Sequence, residues 1–318
     1  MHRPAITVCI ITYNQVEWIE RCVRSAIEQE VDAELCVLVG DDASDDGTSE
    51  IVAQMSSLYP RQITHLRRNS RMGAFDNSRD LLARSEGDFV ACVDGDDYWL
   101  PGKLKRQLSF MQSHPDCVAT YTNAVAVDAV GKQIGVFNDV DNARFDLAAL
   151  LRRGNFLNNS SVLFRRHALT GALRAGTPII DYYSHLWLAR GGWLGHIGEP
   201  LAAYRVNVRG SMLKDANVQV RELYWQAIQS VPRDRVSDDD YAHGIADFLR
   251  RVFFRAVRTR DMSLYRTWAT RVYAASPYGR VHTSALVAAS IIRIGGKALW
   301  GQRARLVGRS PPRILYRR

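Results

Sequence analysis

The first 125 residues alternate short apolar runs with stretches in which apolar residues recur every three or four positions. Runs of apolar and β-branched residues such as ITVCIIT are typical of strands that are buried on both faces of a sheet. Strands of this kind are predicted at 6–12, 34–40, 63–66, 89–93 and 118–124.

Helical periodicity occupies the intervals between these runs. The first predicted helix has Asn14 as its N-cap and Glu17 as the capping-box partner. One face of that helix carries Val16, Ile19, Val23, Ala26 and Ile27. Further helices are expected over 49–59, over about 74–84 and from Pro101, because proline is favoured at the first helical position.

Strands and helices that alternate at this spacing predict an open, mostly parallel sheet with helices on both faces. Ligands bind to such sheets beyond the carboxyl ends of the strands. Polar clusters follow three of the predicted strands, at 12–14 (TYN), 40–43 (GDDA) and 94–97 (DGDD). These clusters predict a ligand site at one edge of the sheet.

The segment VDGDDYW places Asp94, Asp96 and Asp97 directly after the apolar run FVACV. Side chains at i and i+2 leave a strand on the same face, so Asp94 and Asp96 can direct oxygen atoms at one point. Mg²⁺ and Mn²⁺ prefer oxygen ligands and are often held by one or two carboxylates together with substrate phosphates. The segment therefore predicts a metal–diphosphate site, with a solvated acidic turn as the alternative.

Charge is distributed unevenly over the 318 residues, whose net charge is +9. Residues 241–318 contain sixteen lysines and arginines but only two acids, Asp247 and Asp261, a local charge of +14 that leaves −5 on residues 1–240. Such asymmetry suggests an anionic partner, either a nucleic acid or a membrane surface.

Cysteine usage and hydropathy bear on the compartment. Five cysteines without a CxxC pair indicate a reducing compartment, with neither a disulfide framework nor a zinc site. The N-terminal sequence does not have the pattern of a signal peptide, and no run of 18 apolar residues occurs. We therefore expect a cytoplasmic protein that is soluble or lies on a membrane surface.

Over residues 5–212 the chain resembles the family 2 glycosyltransferases with the GT-A fold. The resemblance rests on an ordered set of motifs: TYN, DDASDDGT (41–48), Gly73 before a helix, VDGDDYW, DYYSHLWLA and EPLAAYR (199–205). It implies an α/β GT-A nucleotide-sugar-binding sandwich with a mostly parallel central sheet and a helical C-terminal extension. The expected domains are a transferase domain over 1–214, with a donor half over about 1–125 and an acceptor half over about 126–214, and a basic helical region over 215–318.

The resemblance implies a nucleotide-sugar donor, with UDP- or dTDP-sugars favoured, in the first half. Thr12, Tyr13 and Asn14 would surround the base and ribose, and Asp42 would accept a hydrogen bond from the imide N–H of the base. A turn and helix cap is the alternative for the segment that contains Asp42. Gly73 opens a helix near the donor.

The resemblance also concerns the diphosphate and the metal. Arg71 or Arg79 could meet the diphosphate, although surface solvation is an alternative for both. Asp94 would lie near the ribose and the metal, Asp96 on the metal, and Asp97 would orient the pair or bind the donor sugar. The expected cofactor is Mg²⁺ or Mn²⁺. Trp99 is expected to be a packed aromatic residue.

An inverting transfer needs a base that removes the proton of the attacking acceptor hydroxyl. Asp181 is the candidate, with a helix N-cap as the alternative. The family often has an acid pair at this place, and here only the second acid is present. His185 could contact the acceptor or a phosphate, but a buried histidine bonded to backbone is the other interpretation. Asn207 stands where the family's YRxH ending has histidine, so it could donate one hydrogen bond to the diphosphate but supplies no charge.

Near the C-terminus, a modest interfacial-helix pattern suggests docking on an anionic membrane. Its apolar face carries Val287, Ile291, Ile294 and Ala298, with Arg293, Lys297 and Trp300 beside it. A helical cap on the catalytic domain is the alternative. The predicted function is therefore metal-dependent transfer of a sugar to a cell-surface glycan or lipid-linked acceptor, in the cytoplasm or at the inner face of the membrane.

Three other functions are weighed against this prediction. A sugar nucleotidyltransferase would normally have a glycine-rich, basic loop after the first strand, and TYNQVEW has neither glycine nor lysine. A nucleic-acid-binding protein acting through the basic tail would need a readout motif, and none is found, so no nucleic-acid partner is expected. A degenerate transferase that serves as a scaffold would have lost metal ligands, whereas both acids of the DxD pair are present.

Overall fold

The computed structural model describes residues 3–171, 180–206, 217–306 and 314–316. Eleven strands are found in this part of the chain: β1 (Ala5–Thr12), β2 (Glu34–Asp41), β3 (Ile63–Arg67), β4 (Phe89–Asp94), β5 (Tyr98–Trp99), β6 (Cys117–Val127), β7 (Gln133–Asn138), β8 (Ala143–Phe145), β9 (Leu163–Arg165), β10 (Trp193–Arg205) and β11 (Ile314–Tyr316). The described α-helices are α1 (Ile19–Ile27), α2 (Thr48–Leu58), α3 (Ala74–Arg84), α4 (Lys103–Ser113), α5 (Leu147–Arg153), α6 (Asp181–Gly191), α7 (Asn217–Gln229), α8 (Asp238–Thr259), α9 (Met262–Ala275) and α10 (Gly279–Leu306).

The five strands predicted in the first 125 residues are confirmed, and they belong to one sheet. Its order is β11-β7-β6-β9-β4-β1-β2-β3, and β10 joins through β6 and also pairs with β5 and β8. Strands β4, β1, β2 and β3 run parallel, while β9 is antiparallel to both β4 and β6. The α/β prediction of a mostly parallel GT-A-type sheet is therefore confirmed, with antiparallel strands where β6 and β9 join.

Alternating residues of the central strands separate two apolar layers. Ile6, Val8 and Ile10 of β1 contribute to a core that also contains buried residues of α1, α2 and α4. Cys9 and Val90 face the other side, where the core continues through α5 and α6 into the C-terminal helices. The sheet is thus covered on both faces, as its apolar runs predict.

Two local predictions were wrong. The helix α1 begins at Ile19 after Trp18, so Asn14 and Glu17 do not form a capping box, and Asn14 instead has a positive φ of 52°. The helix α4 begins at Lys103 after Gly102, two residues beyond Pro101. In both places the polar loop after a strand extends further than local propensity indicates.

The C-terminal helices pack against the sheet domain. Leu223, Trp225, Leu249 and Val252 lie in the same apolar core as α5 and α6, and β11 pairs with β7. Val287 is buried in this core and Ile291 packs against it, so the prediction that these two residues form a membrane face is wrong, and this part of α10 packs on the domain as the alternative has it. The side chains of Ile294, Lys297, Ala298 and Trp300 lie outside the described residues.

Two further features concern the cysteines and the length of the helices. All five cysteine thiols are free. Among the helices of the described ranges, none is both long and apolar enough to cross a membrane.

Candidate active site

Three strand ends meet at one edge of the sheet. In the ladder, Thr12 at the end of β1 is the partner of Asp41 in β2, and Ile11 is the partner of Asp94 in β4. The sequence predicted a ligand site at this edge, and the register brings its three polar clusters side by side.

The loop after β1 and the loop after β2 are held together by hydrogen bonds. The Asn14 backbone N–H donates to Ser44 Oγ at 3.0 Å, and Asn14 Nδ2 donates to Asp45 Oδ1 at 2.8 Å. The backbone N–H of Val16 donates to Asp46 Oδ2 at 3.1 Å. Asn14 and the acids of DDASDDGT therefore have hydrogen-bond partners within the protein that connect the two loops.

The residues expected around the base differ in how accessible they are. Thr12 is buried, and its hydroxyl donates to Gln15 Oε1 at 2.8 Å. Tyr13 is partly exposed, and the Arg71 guanidinium lies over its ring, 3.8 Å from the ring centre. Tyr13 and Arg71 therefore form the accessible part of this side of the site.

Asp42 is buried and binds the loop that precedes α3. Its Oδ1 accepts from the Met72 N–H at 2.7 Å and its Oδ2 from the Gly73 N–H at 3.0 Å. Gly73 has a φ of +89°, a conformation that favours glycine. Arg71 Nε lies 3.9 Å from Asp42 Oδ2, whereas Arg79 forms an ion pair with Asp76 on its own helix. Of the two predicted arginines, Arg71 is the one beside Asp42 and Tyr13.

The DxD turn is supported from two sides. The Asp94 N–H donates to Ser160 Oγ at 3.2 Å, and the Trp99 indole N–H donates to the Ser160 carbonyl at 2.6 Å. Trp99 is buried, as predicted for a packed aromatic residue. Asp97 is also buried, and its Oδ1 accepts from the Arg205 N–H at 2.7 Å, so it joins the turn to the end of β10.

Arg205 is a residue of the site whose role the sequence did not reveal. Its Nε donates to the Asp96 carbonyl at 2.9 Å, and its Nη1 donates to the carbonyls of Asp128 and Ala129 at 2.7 and 2.9 Å. Its position at the end of EPLAAYR was the available signal. Arg205 thus fixes the backbone of the DxD turn with a buried cation.

Electrostatics at the DxD turn fit a bound divalent cation. Burial first, and then the charges of Asp96 and Asp181, raise the pKa of Asp94 to about 7. Burial also raises the pKa values of Asp96 and Asp97. Crowded, desolvated carboxylates of this kind suit a hard cation.

The protein would supply only part of the coordination of such a cation. No group of three or more His, Cys, Asp or Glu residues that could hold a metal occurs within the described ranges. Asp94 and Asp96 would therefore act together with other oxygen ligands, such as a diphosphate and water.

Asp181 is the first residue of α6 and approaches this cluster from the other half of the chain. The cap position belongs to Ile180, so the alternative of Asp181 as N-cap is wrong. Its Oδ2 accepts from Asn155 Nδ2 at 2.7 Å, and its Oδ1 accepts from the Tyr182 N–H at 2.7 Å and from the Tyr224 hydroxyl at 3.3 Å. The sequence did not single out Asn155 or Tyr224.

His185 is buried one turn further along α6. Its Nδ1 lies 3.3 Å from Asn155 Oδ1, and its ring packs edge-on against Tyr121. Both sequence interpretations need correction, because burial leaves His185 no contact surface for an acceptor or phosphate and the bond it makes is to a side chain. Asn207 lies outside the described residues.

A cavity of about 450 Å³ occurs elsewhere, lined by Phe110, His114, Arg144 and Trp193 among others. Trp193 begins β10 and Arg205 ends it. The lining extends along β10 to Ile197, so at about 3.3 Å per residue the nearest part of the cavity lies roughly 26 Å along the strand from Arg205 at the DxD turn. It is separate from the site described above.

Several curated proteins are similar in sequence to this chain. A Mycobacterium tuberculosis protein of uncharacterised role is 30% identical over 207 residues, which cover 64% of this chain and 60% of that protein. The Erwinia amylovora amylovoran biosynthesis glycosyltransferase AmsE is 28% identical over 62% of this chain and 71% of its own length. The Escherichia coli UDP-Glc:alpha-D-GlcNAc-diphosphoundecaprenol beta-1,3-glucosyltransferase WfaP is 26% identical over 58% of this chain and 68% of its own.

Solved structures share the fold. Residues 1–349 of S. aureus TarS match with a TM-score of 0.64 at 18% identity, covering 89% of this chain and 83% of that one, and the same region in complex with UDP-GlcNAc matches with a TM-score of 0.55 at 16% identity, covering 83% and 90%. The Pyrobaculum calidifontis mannosyltransferase PcManGT, in complex with GDP-Man and Mn²⁺, matches with a TM-score of 0.56 at 18% identity and covers 97% and 84%.

A family profile described as "Glycosyl transferase family 2" matches residues 7–171, more than half of the chain. The match contains the loops after β1 and β2, the DxD turn and Asn155. The chain therefore belongs to glycosyl transferase family 2.

Proposed function

We propose that the protein transfers a sugar from a nucleotide-sugar to a hydroxyl of a cell-surface glycan or lipid-linked acceptor, with inversion at the anomeric carbon. The observation that carries the proposal is that one loop, between α5 and β9, bonds both to the DxD turn and to Asp181, because Ser160 Oγ accepts from the Asp94 N–H and Asn155 Nδ2 donates to Asp181 Oδ2. Asp181 is near enough that its charge raises the pKa of Asp94. A leaving-group site and a candidate base thus lie together.

The donor half, 1–125, binds the nucleotide. Tyr13 offers a partly exposed ring and Arg71 a cation beside Asp42, in keeping with a base and a diphosphate. UDP- or dTDP-sugars are favoured, because the WfaP name specifies UDP-Glc and the TarS region was solved with UDP-GlcNAc.

The cofactor in this proposal is Mg²⁺ or Mn²⁺, held by Asp94 and Asp96. When bound, the cation stabilises the negative charge on the departing nucleoside diphosphate. Arg205 and Ser160 hold the backbone of the turn that carries both acids.

Asp181 acts as the base in the acceptor half, 126–214. The acceptor oxygen forms a bond to the anomeric carbon while the bond from that carbon to the diphosphate oxygen breaks. The diphosphate leaves with the electron pair, and the hydroxyl proton passes to Asp181. Attack from the face opposite the leaving group inverts the anomeric centre.

The acceptor is a glycan or lipid-linked glycan, since the AmsE name refers to amylovoran biosynthesis and the WfaP name to a diphosphoundecaprenol acceptor. The helical region over 215–318 docks on an anionic membrane from the cytoplasmic side. The corner between α8 and α9 supports this, because Phe254, Val257 and Met262 are 40%, 52% and 42% exposed there and the exposed Arg258 and Arg260 lie among them. Apolar side chains ringed by arginine suit an anionic lipid surface.

Turnover with purified protein tests the proposal. UDP-, dTDP- and GDP-sugars are incubated with Mn²⁺ and a lipid-linked glycan acceptor, and both released nucleoside diphosphate and glycosylated product are measured. We expect one donor to be consumed, with product formation lost in Asp96→Asn and reduced by about 10²-fold or more in Asp181→Asn. Equal product from the wild type and both variants would refute the assignment of these acids.

A further inference from the structure

Resting on the proposed function, we infer that Asn155 and Tyr224 are positioning residues that orient the Asp181 carboxylate, and that the C-terminal helices thereby complete the acceptor side of the site. Asn155 lies in the loop after α5, and Tyr224 lies on α7. Neither is adjacent to Asp181 in sequence, and their contacts with it depend on the packing of three separate elements.

The direction of each hydrogen bond in this network is fixed by chemistry. An ionised carboxylate only accepts, so the Asn155 atom 2.7 Å from Asp181 Oδ2 is the amide nitrogen. The Asn155 amide oxygen therefore faces His185 Nδ1 at 3.3 Å and accepts a hydrogen bond from the Nδ1–H. This bond sets the tautomer of the buried His185 and prevents the Asn155 amide from turning over.

Tyr224 completes the network around Asp181. Its hydroxyl accepts from Asn155 Nδ2 at 2.8 Å, so its own proton is available for Asp181 Oδ1 at 3.3 Å. The Tyr224 ring stacks on Tyr182 with centres 5.6 Å apart, which holds the hydroxyl in place. Asn155, Tyr224 and the Tyr182 N–H thus each donate one hydrogen bond to Asp181.

The count of lone pairs then identifies the reactive oxygen. Asp181 Oδ1 accepts from the Tyr182 N–H and the Tyr224 hydroxyl, whereas among the described residues Asn155 is the one donor to Oδ2. A carboxylate has about four acceptor positions, two on each oxygen. The remaining position is on Oδ2, which is the atom that receives the acceptor proton.

The helix α8 fixes the loop that carries Asn155. Arg251 Nη2 donates to the carbonyls of Asn155 at 3.1 Å and Arg153 at 3.4 Å, and Arg251 Nε donates to Asp247 Oδ2 at 2.8 Å. Gly154 has a φ of +68°, and a Cβ there would lie 2.5 Å from both Arg251 Nη2 and Asp247 Oδ2. The loop can therefore approach α8 only with glycine at this position.

Steady-state kinetics of sugar transfer test the inference with Asn155→Ala, Tyr224→Phe and Asp181→Asn. We expect kcat to fall between about 10- and 100-fold in Asn155→Ala and several-fold in Tyr224→Phe, while the donor KM stays within about twofold of the wild-type value. Tyr224→Phe keeps the stacked ring, so it removes the hydroxyl with little disturbance of the fold. Tyr265→Phe is the matched control, because Tyr265 lies in α9 with its ring packed on Phe253 of α8, and it should leave kcat unchanged.

A double variant separates positioning from structural damage. Combined with Asp181→Asn, the Asn155→Ala change should lower kcat no further, because the group that it orients is already gone. If the losses of kcat in Asn155→Ala and Asp181→Asn multiply in the double variant, the positioning role is wrong and the proposed function still stands. The same conclusion follows if Asn155→Ala and Tyr224→Phe each keep the wild-type kcat. Wild-type protein without transferase activity, or full activity in Asp181→Asn, would overturn the proposed function and with it this inference.

Discussion

Asp41 is the buried residue that ties the loop after β2 to its own strand. It accepts from the Ser44 N–H at 3.0 Å and from the Ser49 hydroxyl, and His65 Nε2 lies 3.5 Å from its Oδ2. Burial by itself would raise its pKa, but hydrogen bonds from His65, Ser44 and Ser49 outweigh burial and hold the pKa of Asp41 below its ordinary value.

We predict that Asp41→Asn lowers the free energy of unfolding by about 1–3 kcal/mol at pH 7. A lowered pKa stabilises the folded state above the unfolded pKa of about 3.9, and this stabilisation is lost as the pH falls through the folded value. Urea unfolding at pH 7, 5 and 3.5 should show the difference between wild type and variant narrowing at the lowest pH. If the difference in unfolding free energy between wild type and Asp41→Asn stays constant from pH 7 to 3.5, the pKa of Asp41 is not lowered by folding.

His185 gives a pH dependence of the same sign as Asp41, but over a higher pH range. Burial lowers its pKa from 6.5 to about 4, against a smaller raising effect of Asp181. Unfolding therefore binds a proton between these two pH values, so the folded state loses stability as the pH falls below 6.5. The groups that face its ring are Asp181 on the same helix, Tyr121 on β6 and the Asn155 amide.

We predict that His185→Gln flattens this part of the stability profile. Between pH 7.5 and 5 the wild type should lose about 2 kcal/mol more of its unfolding free energy than the variant. Chemical denaturation at both pH values measures the two losses. Parallel profiles would mean that His185 is not held neutral by burial.

At the residue scale, sequence reasoning located acids better than their partners. Asp94 and Asp96 could be proposed because they follow a buried strand at i and i+2, and Asp181 because it begins the motif DYYSHLWLA. Asn14 was misassigned as a cap because its partner Asp45 lies 31 residues away. Asn155 and Tyr224 could not be found, since their contact with Asp181 depends on tertiary packing alone.

At the scale of elements, the turn after β4 depends on a close approach between Gly95 and the end of β1. A Cβ on Gly95 would meet Gln15 Oε1 and would lie 3.0 Å from both Cβ and Oγ1 of Thr12. The DxD acids can therefore reach their place only if this position lacks a side chain.

We predict that Gly95→Ala weakens binding of a nucleoside diphosphate by about tenfold or more and lowers the unfolding free energy by about 1–3 kcal/mol. Gly191→Ala is the matched control, because a Cβ there would lie 3.7 Å from Val118, an ordinary contact. Calorimetric titration with UDP and Mn²⁺, together with thermal melts, measures both effects. Equal behaviour of the two alanine variants would exclude this steric role.

The strands and helices of the first half could be predicted from the sequence, because their apolar pattern is local. The placement of β10 between β6 and the short strands β5 and β8 did not, because its pairing partners are distant in sequence. The starts of α1 and α4 were predicted too early for a related reason. Long-range hydrogen bonds stabilise the polar loops before these helices.

Part of the basic excess of residues 241–318 lies at one exposed corner of the molecule. The exposed corner between α8 and α9 combines Phe254, Val257 and Met262 with Arg258 and Arg260. It begins one turn beyond Arg251, which binds the Asn155 loop. Docking through this corner would bring a lipid-linked acceptor to the side of the site where Asp181 lies.

We predict that the protein sediments with vesicles that contain anionic lipid, and that Arg258→Glu/Arg260→Glu weakens this binding by about tenfold or more. The double variant Lys105→Glu/Arg106→Glu changes the net charge equally at exposed positions of α4. It should bind the vesicles more tightly than the α8–α9 variant does. Equal loss in both variants would mean that net charge rather than this corner directs binding.

In the proposed function, the DxD turn and the neighbouring strand ends form a metal-dependent nucleoside diphosphate site. Isothermal titration of UDP into the wild type and into Asp96→Asn, each with Mn²⁺ and with EDTA, tests it most directly. We expect wild-type affinity to be at least about tenfold higher with Mn²⁺ than with EDTA, a difference of about 1.4 kcal/mol, and the variant to lose this difference. Equal wild-type affinity under both conditions, or an undiminished effect of Mn²⁺ in Asp96→Asn, would contradict the claim.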